Sequence, residues 1–454
     1  MSLIAESVAL AAPSFTGQLL RPTDHGYDDV RRVHNGLIDK RPAIVARCLG
    51  VADVADAVQL ARTLGLEVSV RGGGHNVAGR ATIDQGLMID LSPMKGIHVD
   101  PRARTVRAQG GVLWRELNRE TQLHGLATTG GVVGSTGIAG LTLGGGLGWL
   151  MPKYGLALDN LLAADMVMAD GSVVRASAGE NPDLFWAIRG GGGNFGIAAS
   201  LEYALHQVGP MITGGVVVHP FPRAMDMLRF FRDTCASLPD EAMLVAALQT
   251  APDGSNTKIA GIVGGHCGSL EDGEAAFRSL KAFGPPVLDM LGPVPYATLN
   301  GMIDPAFPKG ALNYWKAQFL TDLSDDAIRT LIAAFEECPS PMSHIIIEHF
   351  HGAASRVPLT ATACTMRVTG FNLVIASQWM DPRETERGIT WARETFASLT
   401  PYLASTRYVN YLEDDAIDAA AVAYGSNLPR LRAIKRTYDP GNFFRHNVNV
   451  VPSN

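Results

Sequence analysis

The residues best placed to do chemistry in this chain are Arg71-Gly72-Gly73-Gly74-His75-Asn76. Leu66, Val68 and Val70 alternate just before them, which predicts a strand running into the glycines. Three glycines end that strand and let the backbone approach a ligand where a Cβ would clash. Bare N–H groups in such a turn form a nest that suits a diphosphate. A histidine beside the turn is held at the edge of whatever binds there. Alone, the pattern also fits a glycine turn with an incidental histidine.

Two further glycine blocks weaken that plainer reading. Gly125 to Pro152 contains no charged residue, long enough for a membrane helix. It also holds Gly130, Gly131, Gly134, Gly137, Gly140, Gly144, Gly145, Gly146 and Gly148, and so much glycine makes a poor helix. Loops and short turns wrapped on a large ligand fit the segment better. The third block runs from Arg189 to Gly196, after the apolar Leu184 to Ile188. Its Gly191, Gly193 and Gly196 fit GxGxxG by letter, but they follow a helix-like segment and not the strand that motif requires. No GxxxxGK[ST] phosphate loop and no GxSxG nucleophile elbow is present. Glu348, His349 and His351 include an HxH pair, but no third ligand follows at metal spacing, so no metal is expected.

The elements that must position these residues read as mixed α+β. Ala43 to Arg47 and Thr105 to Ala108 look like strands, and Val51 to Leu64 like a helix closed by Gly65. After Ile197 the texture changes. Strands near 214–218, 243–249, 258–263, 345–350 and 371–379 alternate with helices near 225–237, 325–337 and 384–399, which predicts an antiparallel sheet covered on one face. This second domain spans Val208 to Leu412, and the tail returns to the first. The chain has 454 residues, enough for two or three cores. A net charge of −6 without basic clusters argues against a nucleic-acid partner. Five scattered cysteines without CxxC argue against a disulfide framework. The N-terminus lacks a basic start and Glu6 interrupts it, so a cytoplasmic protein with no membrane partner is expected.

Four stretches, in order, carry a family resemblance: RGGGHN at 71–76, Val133 to Asn160, Ala164 to Ile197, and Tyr424 to Asn447. They resemble the flavoproteins of the vanillyl-alcohol oxidase superfamily, and within it the berberine bridge enzyme-like branch. The resemblance implies an α+β fold. Residues 1–207 and 413–454 would form a split FAD-binding domain, and 208–412 a substrate domain with an antiparallel sheet covered by helices.

It also implies a site. FAD would be covalently attached through the 8α-methyl carbon to His75, which requires a neutral imidazole. The cofactor would be held by Arg71, Gly72, Gly73, Gly74, Asn76 and Gly79; by Thr129, Gly131, Gly134, Thr136, Gly137 and Gly140; by Gly193, Asn194, Gly196 and Ile197; and by Asn447 and Asn449. A second tether found in many members needs a cysteine where this chain has Val133, and no cysteine lies between Cys48 and Cys235, so attachment is through His75 only. That loss favours a small or narrow substrate. Thr136 lies over the flavin's reactive face, where it would admit oxygen. Arg407 to Tyr411 resembles a family strand whose second tyrosine is the catalytic base; here that is Tyr411, whose phenol would need a depressed pKa. Strand alternation would put Tyr411 and Val409 on one face, Tyr408 and Asn410 on the other. Asn372, Val374, Tyr408, His349 and Ser377 are substrate-side candidates, and Thr362 to Arg367 departs from the family's pattern. The implied activity is an oxidase moving a hydride from a small alcohol, amine or hydroxylated metabolite to flavin, with molecular oxygen as acceptor and hydrogen peroxide as product. The alternative is an oxygenase or oxidative cyclase of secondary metabolism using the same site.

Overall fold

The computed structural model describes residues 14–453; the apolar N-terminal stretch lies outside the described residues. The first layer is a four-stranded sheet of β1 (Gln18–Leu20), β2 (Ile44–Arg47), β3 (Val68–Arg71) and β4 (Leu87–Asp90), in the order β1-β2-β4-β3. β2, β4 and β3 are parallel, and β1 adds an antiparallel edge. Helix α1 (Val51–Leu64) crosses between β2 and β3 and buries Val54, Val58 and Ala61, the residues whose spacing predicts it. It stops at Gly65, whose φ of 65° is left-handed backbone that glycine adopts without strain.

A second sheet, β5 (Ile97–Asp100), β6 (Thr105–Gln109), β7 (Leu161–Val167), β8 (Val173–Ser177) and β9 (Ile197–Ala204), is antiparallel in the order β5-β6-β9-β7-β8. The uncharged glycine block lies between α2 (Trp114–Gln122) and β7. It contains only α3 (Ile138–Gly144) and a single turn at Met151–Tyr154 as helix. Its loops lie backbone on backbone: a Cβ on Gly148 would sit 1.8 Å from the Gly130 carbonyl oxygen. Among the described residues no helix is long and apolar enough to cross a membrane.

Helix α4 (Pro182–Ile188) leads into the third glycine block and β9. On the expected substrate side the chain then builds a sheet from β10 (Met211–Pro220), β11 (Ala242–Thr250), β12 (Lys258–His266), β13 (Leu312–Phe319), β14 (His344–Phe350) and β15 (Gly370–Trp379). Their order is β10-β12-β11-β14-β15-β13, antiparallel throughout, with two short strands beside β10. Helices α5 (Ala224–Cys235), α6 (Leu270–Ala282), α7 (Asp325–Glu336) and α8 (Thr385–Ser398) cover one face. Phe231, Phe277, Phe335 and Trp391 pack there on Leu248, Ile262, Ile345, Ile347, Leu373 and Ile375. The opposite face turns toward the glycine block: Phe319, Phe350 and Met243 share a core with Leu147, Trp149 and Met151.

The tail closes the fold. Helix α9 (Leu428–Tyr438) sets Leu431 and Ile434 against Leu184 and Ile188 of α4. Its Lys435 ammonium is fully buried, bonded to Asp439 at 2.6 Å, to the Asn194 carbonyl at 2.5 Å and to the Phe444 carbonyl at 3.0 Å. A buried cation needs such complete pairing.

Candidate active site

The turn after β3 is built from its backbone. Gly73 lies against the glycine block so closely that a Cβ would fall 2.3 Å from the Gly137 nitrogen. Gly74 has φ 67°, and its carbonyl accepts from the His34 N–H at 2.9 Å. None of the N–H groups of Gly73 to Asn76 donates to another described residue, so the nest is open to an anion. Arg71 differs from expectation. Its guanidinium forks onto Asp90 at 2.9 and 2.5 Å and donates to the carbonyls of Val30 and Arg32. Asp90 is fully buried on β4, and pairing it commits the guanidinium, so Arg71 braces the turn.

His75 stacks on His34 with ring centroids 3.8 Å apart. Burial, and then neighbouring His34, holds His75 neutral, its pKa lowered to about 3. Its Nε2 is buried without a hydrogen-bond partner. A buried nitrogen without a partner beside an open backbone nest leaves room for a ligand at the turn.

Gly134 donates to Asp304 at 2.6 Å, and the Gly131 carbonyl accepts from Asn300 at 3.0 Å, so the segment meets the substrate-side domain. Thr136 is tied by backbone, its N–H to Val133 and its carbonyl to Trp114. Gly140 lies on the exposed side of α3 and a Cβ there would meet nothing. Thr129 is buried beside Asn160. Gly79 closes a turn onto the Asn76 carbonyl, and Gly193 lies beside Asn447. Asn449 Oδ1 is likewise buried without a hydrogen-bond partner. Asn194 is a correction: its amide is spent on the carbonyls of Gly191 and Val448 and on the Val450 N–H, which locks the tail in place. Ile197 follows Gly196 into β9, and its side chain fills the core with Ile89 and Val167. Asn194 and Ile197 therefore offer backbone alone.

The substrate-side sheet supplies the second wall. His344, Ile346 and Glu348 share one face of β14, and the register sets Ile346 beside Val374 and Glu348 beside Asn372. His349 and Ser377 have the opposite parity. His349 packs on Phe371 and stacks on His351, and Ser377 donates to Gly388 of α8. Both fall on the helix-covered face and leave the candidate site.

The tyrosine segment also differs from expectation. Val409–Tyr411 is a single 3₁₀ turn, not a strand. The segment passes the edge strand β13, where Arg407 donates to the Ala317 carbonyl at 3.0 Å, but it forms no ladder there and is pinned by side chains: Asn410 donates to the Leu141 carbonyl at 3.1 Å, and Asn76 donates to the Asn410 carbonyl at 3.3 Å. Helical spacing puts positions three apart on one side, so Tyr408 and Tyr411 sit together, rings 4.8 Å apart. The Tyr408 hydroxyl accepts from the Gly146 N–H at 2.9 Å and from Asn410 at 2.7 Å, which makes it a fastener. The Tyr411 hydroxyl donates to Glu348 at 3.2 Å, and Asn372 donates to the other carboxylate oxygen at 2.7 Å.

The electrostatics reverse the expected ones. Burial, and then Glu348, raises the Tyr411 pKa instead of depressing it. Burial drives Glu348 up to about 7 against the lowering effect of its two hydrogen bonds. Glu348 is the candidate site residue that the sequence does not reveal. The available signal was a carboxylate on an inward-facing position of an apolar strand, hidden by the adjacent histidines.

Comparison with known proteins shows the family of the chain. Residues 42–177 match the family described as FAD binding domain, and 407–451 match berberine and berberine like. The chain is 32% identical to (R)-6-hydroxynicotine oxidase of Paenarthrobacter nicotinovorans, over 98% of this chain and 99% of that one. It is a berberine bridge enzyme-like FAD-linked oxidoreductase. An FAD-linked oxidoreductase of Dictyostelium discoideum is 28% identical over 97% of this chain and 95% of its own. The crystal structure of 6-hydroxy-D-nicotine oxidase from Arthrobacter nicotinovorans superposes with a TM-score of 0.89 at 30% identity, covering 97% and 99% of the two chains. Xylooligosaccharide oxidase from Myceliophthora thermophila, at 24% identity and a TM-score of 0.84, shares the fold over both full lengths. For a berberine bridge enzyme-like chain, the backbone nest and the orphan atoms of His75 and Asn449 fit FAD.

Proposed function

We propose that this enzyme is an oxidase of a small, largely apolar amine or alcohol, with FAD tethered through His75 alone and oxygen as the electron acceptor. The observation that carries the chemistry is the Tyr411–Glu348 hydrogen bond on the wall facing the glycine block. Bound flavin supplies the redox step, taking a hydride equivalent from the substrate and passing the electrons to oxygen, which leaves as hydrogen peroxide. The chain's own residues handle the proton. Tyr411 Oη accepts it from the substrate's hydroxyl or amine as its own proton moves to Glu348 Oε1. A raised phenol pKa is then no obstacle, because the carboxylate, with a pKa of about 7, is the final acceptor. Asn372 holds the carboxylate in place through its other oxygen.

Val133, Phe307, Trp315, Ile346, Val374 and Ala376 gather around Tyr411 and supply an apolar lining. That lining suits a compact ring better than a sugar, and the hydroxynicotine oxidase likeness points the same way. The test is a screen of the purified yellow protein for peroxide against cyclic amines, alcohols, phenols and sugars. One peroxide per substrate oxidised, with sugars inert, is expected; labelled oxygen in the product would make it an oxygenase. The tether has its own test. Acid-precipitated wild-type protein stays yellow and His75→Ala releases its flavin; flavin lost equally from wild type contradicts the attachment.

A further inference from the structure

We infer that His34 is a positioning residue for covalent attachment of the flavin, acting through the flat face it presents to His75. This rests on the His75 tether proposed above. Three observations carry it. The two rings lie 3.8 Å apart with an interplanar angle of 22°, so one face of the His75 imidazole is fully occupied by another ring. The free Nε2 of His75 has no hydrogen bond among the described residues, and the only hydrogen bond of the ring there is to its own backbone, so the ring is aimed largely by what packs on it. And His34 is itself held from both sides. Its N–H donates to the Gly74 carbonyl at 2.9 Å, and its carbonyl accepts from Gly310 at 2.9 Å. The next residue, Asn35, donates to the carbonyls of Val77 at 2.8 Å and Asn313 at 2.9 Å.

The segment carrying His34 is thus clamped between the glycine turn and the substrate-side domain. It delivers a rigid platform to the one ring that must be aimed. His34 itself borders a cleft of about 620 Å³ that also reaches Gly72, Gly73, Ser135 and Lys309, so its ring is more than filler in a closed core.

Attachment forms a bond between an imidazole nitrogen of His75 and the flavin 8α carbon. It breaks one C–H bond at that carbon and the N–H of the imidazole. The two electrons and two protons reduce the flavin ring, and molecular oxygen takes them off as hydrogen peroxide. A nucleophile locked in plane loses little freedom on reaching that bond, whereas a ring free to rotate loses more. His34 touches neither flavin nor substrate in this account, so its effect falls on the rate of attachment and not on the binding of FAD.

The experiment follows acid-stable flavin with time. Enzyme purified after a short induction is incubated with FAD in air, then precipitated with acid at intervals, while bound flavin is read separately by absorbance before precipitation. His34→Ala should bind FAD yet attach it about tenfold more slowly or worse, and His34→Phe, which restores a flat ring without a titratable nitrogen, should attach it near the wild-type rate. If His34→Ala does not fold, His34→Leu serves in its place, with similar bulk and no flat face. Equal attachment rates for the Phe variant and the Ala or Leu variant overturn the inference. So does a wild-type-like rate in His34→Ala. If wild type itself releases its flavin, the tether fails and the inference with it, a result His75→Ala reports independently.

Discussion

The half of the molecule that fits the cofactor and the half that fits the substrate are built on different principles. In the first, the working groups are backbone: the open N–H groups of the turn after β3, and a glycine block without a single charged residue. Side chains there serve as braces, as Arg71 does for Asp90. In the second, the groups proposed to work are side chains brought together from distant segments: Glu348 on β14, Asn372 on β15 and Tyr411 on the turn entering the tail. The buried carboxylates show the contrast best. Asp90 is paired with a guanidinium that neutralises it. Glu348 has only neutral partners, and burial therefore lifts its pKa to about 7. A paired charge makes scaffold, and an unpaired one makes a group poised to exchange a proton.

The contrast can be broken first at the turn. Gly73→Val should abolish flavin incorporation, because a Cβ would fall 2.3 Å from the Gly137 nitrogen and 2.6 Å from its Cα. Purified protein should be colourless; normal absorbance would show that the nest is elsewhere. Next comes the wall opposite. Tyr411→Phe should keep flavin and slow its anaerobic reduction by about two to four powers of ten, the usual size of a general-base contribution, while reoxidation by oxygen hardly changes. Tyr408→Phe should instead strand the Gly146 N–H and cost about 1–3 kcal/mol of stability, read as a lower Tm.

A smaller effect concerns pH. The Glu348 pKa rises on folding from an ordinary 4.5 to about 7, so the folded state prefers its protonated form. Stability from this group is full at low pH and is lost as pH climbs through about 7, by roughly 3 kcal/mol in all. Wild type should therefore lose more Tm between pH 5 and pH 8 than Glu348→Gln does; parallel curves would deny the buried unpaired carboxylate. The smallest effect expected is none: His349→Gln, on the helix-covered face of β14, should leave flavin reduction unchanged, and a slowed reaction would mean the strand faces the other way.

What the sequence made legible follows the same division. Helix α1 and the strand before RGGG could be read because periodicity, a glycine stop and a glycine turn are local signals. The covered antiparallel sheet was readable from alternating segments. Reading failed where a side chain's use depends on a distant partner. Arg71 sits inside the glycine motif, and only the pairing of β3 with β4 assigns it to Asp90. Asn194 sits inside another, and only the returning tail claims its amide. The strand expected over Arg407 to Tyr411 had suitable residues and lies beside β13, yet it forms no ladder with it; the chain turns there and brings Tyr408 and Tyr411 together. Glu348 needed the β14–β15 register to meet Asn372.

The most direct test of the account is the pH dependence of anaerobic flavin reduction, by a substrate found in the peroxide screen, in wild type and Glu348→Gln. The pair can accept a proton only when Glu348 is ionised. The wild-type rate should rise with pH through an inflection near 7 and then level. Glu348→Gln should be slow and lack that inflection. An unchanged inflection in Glu348→Gln would contradict the Tyr411–Glu348 relay and place the base on another residue.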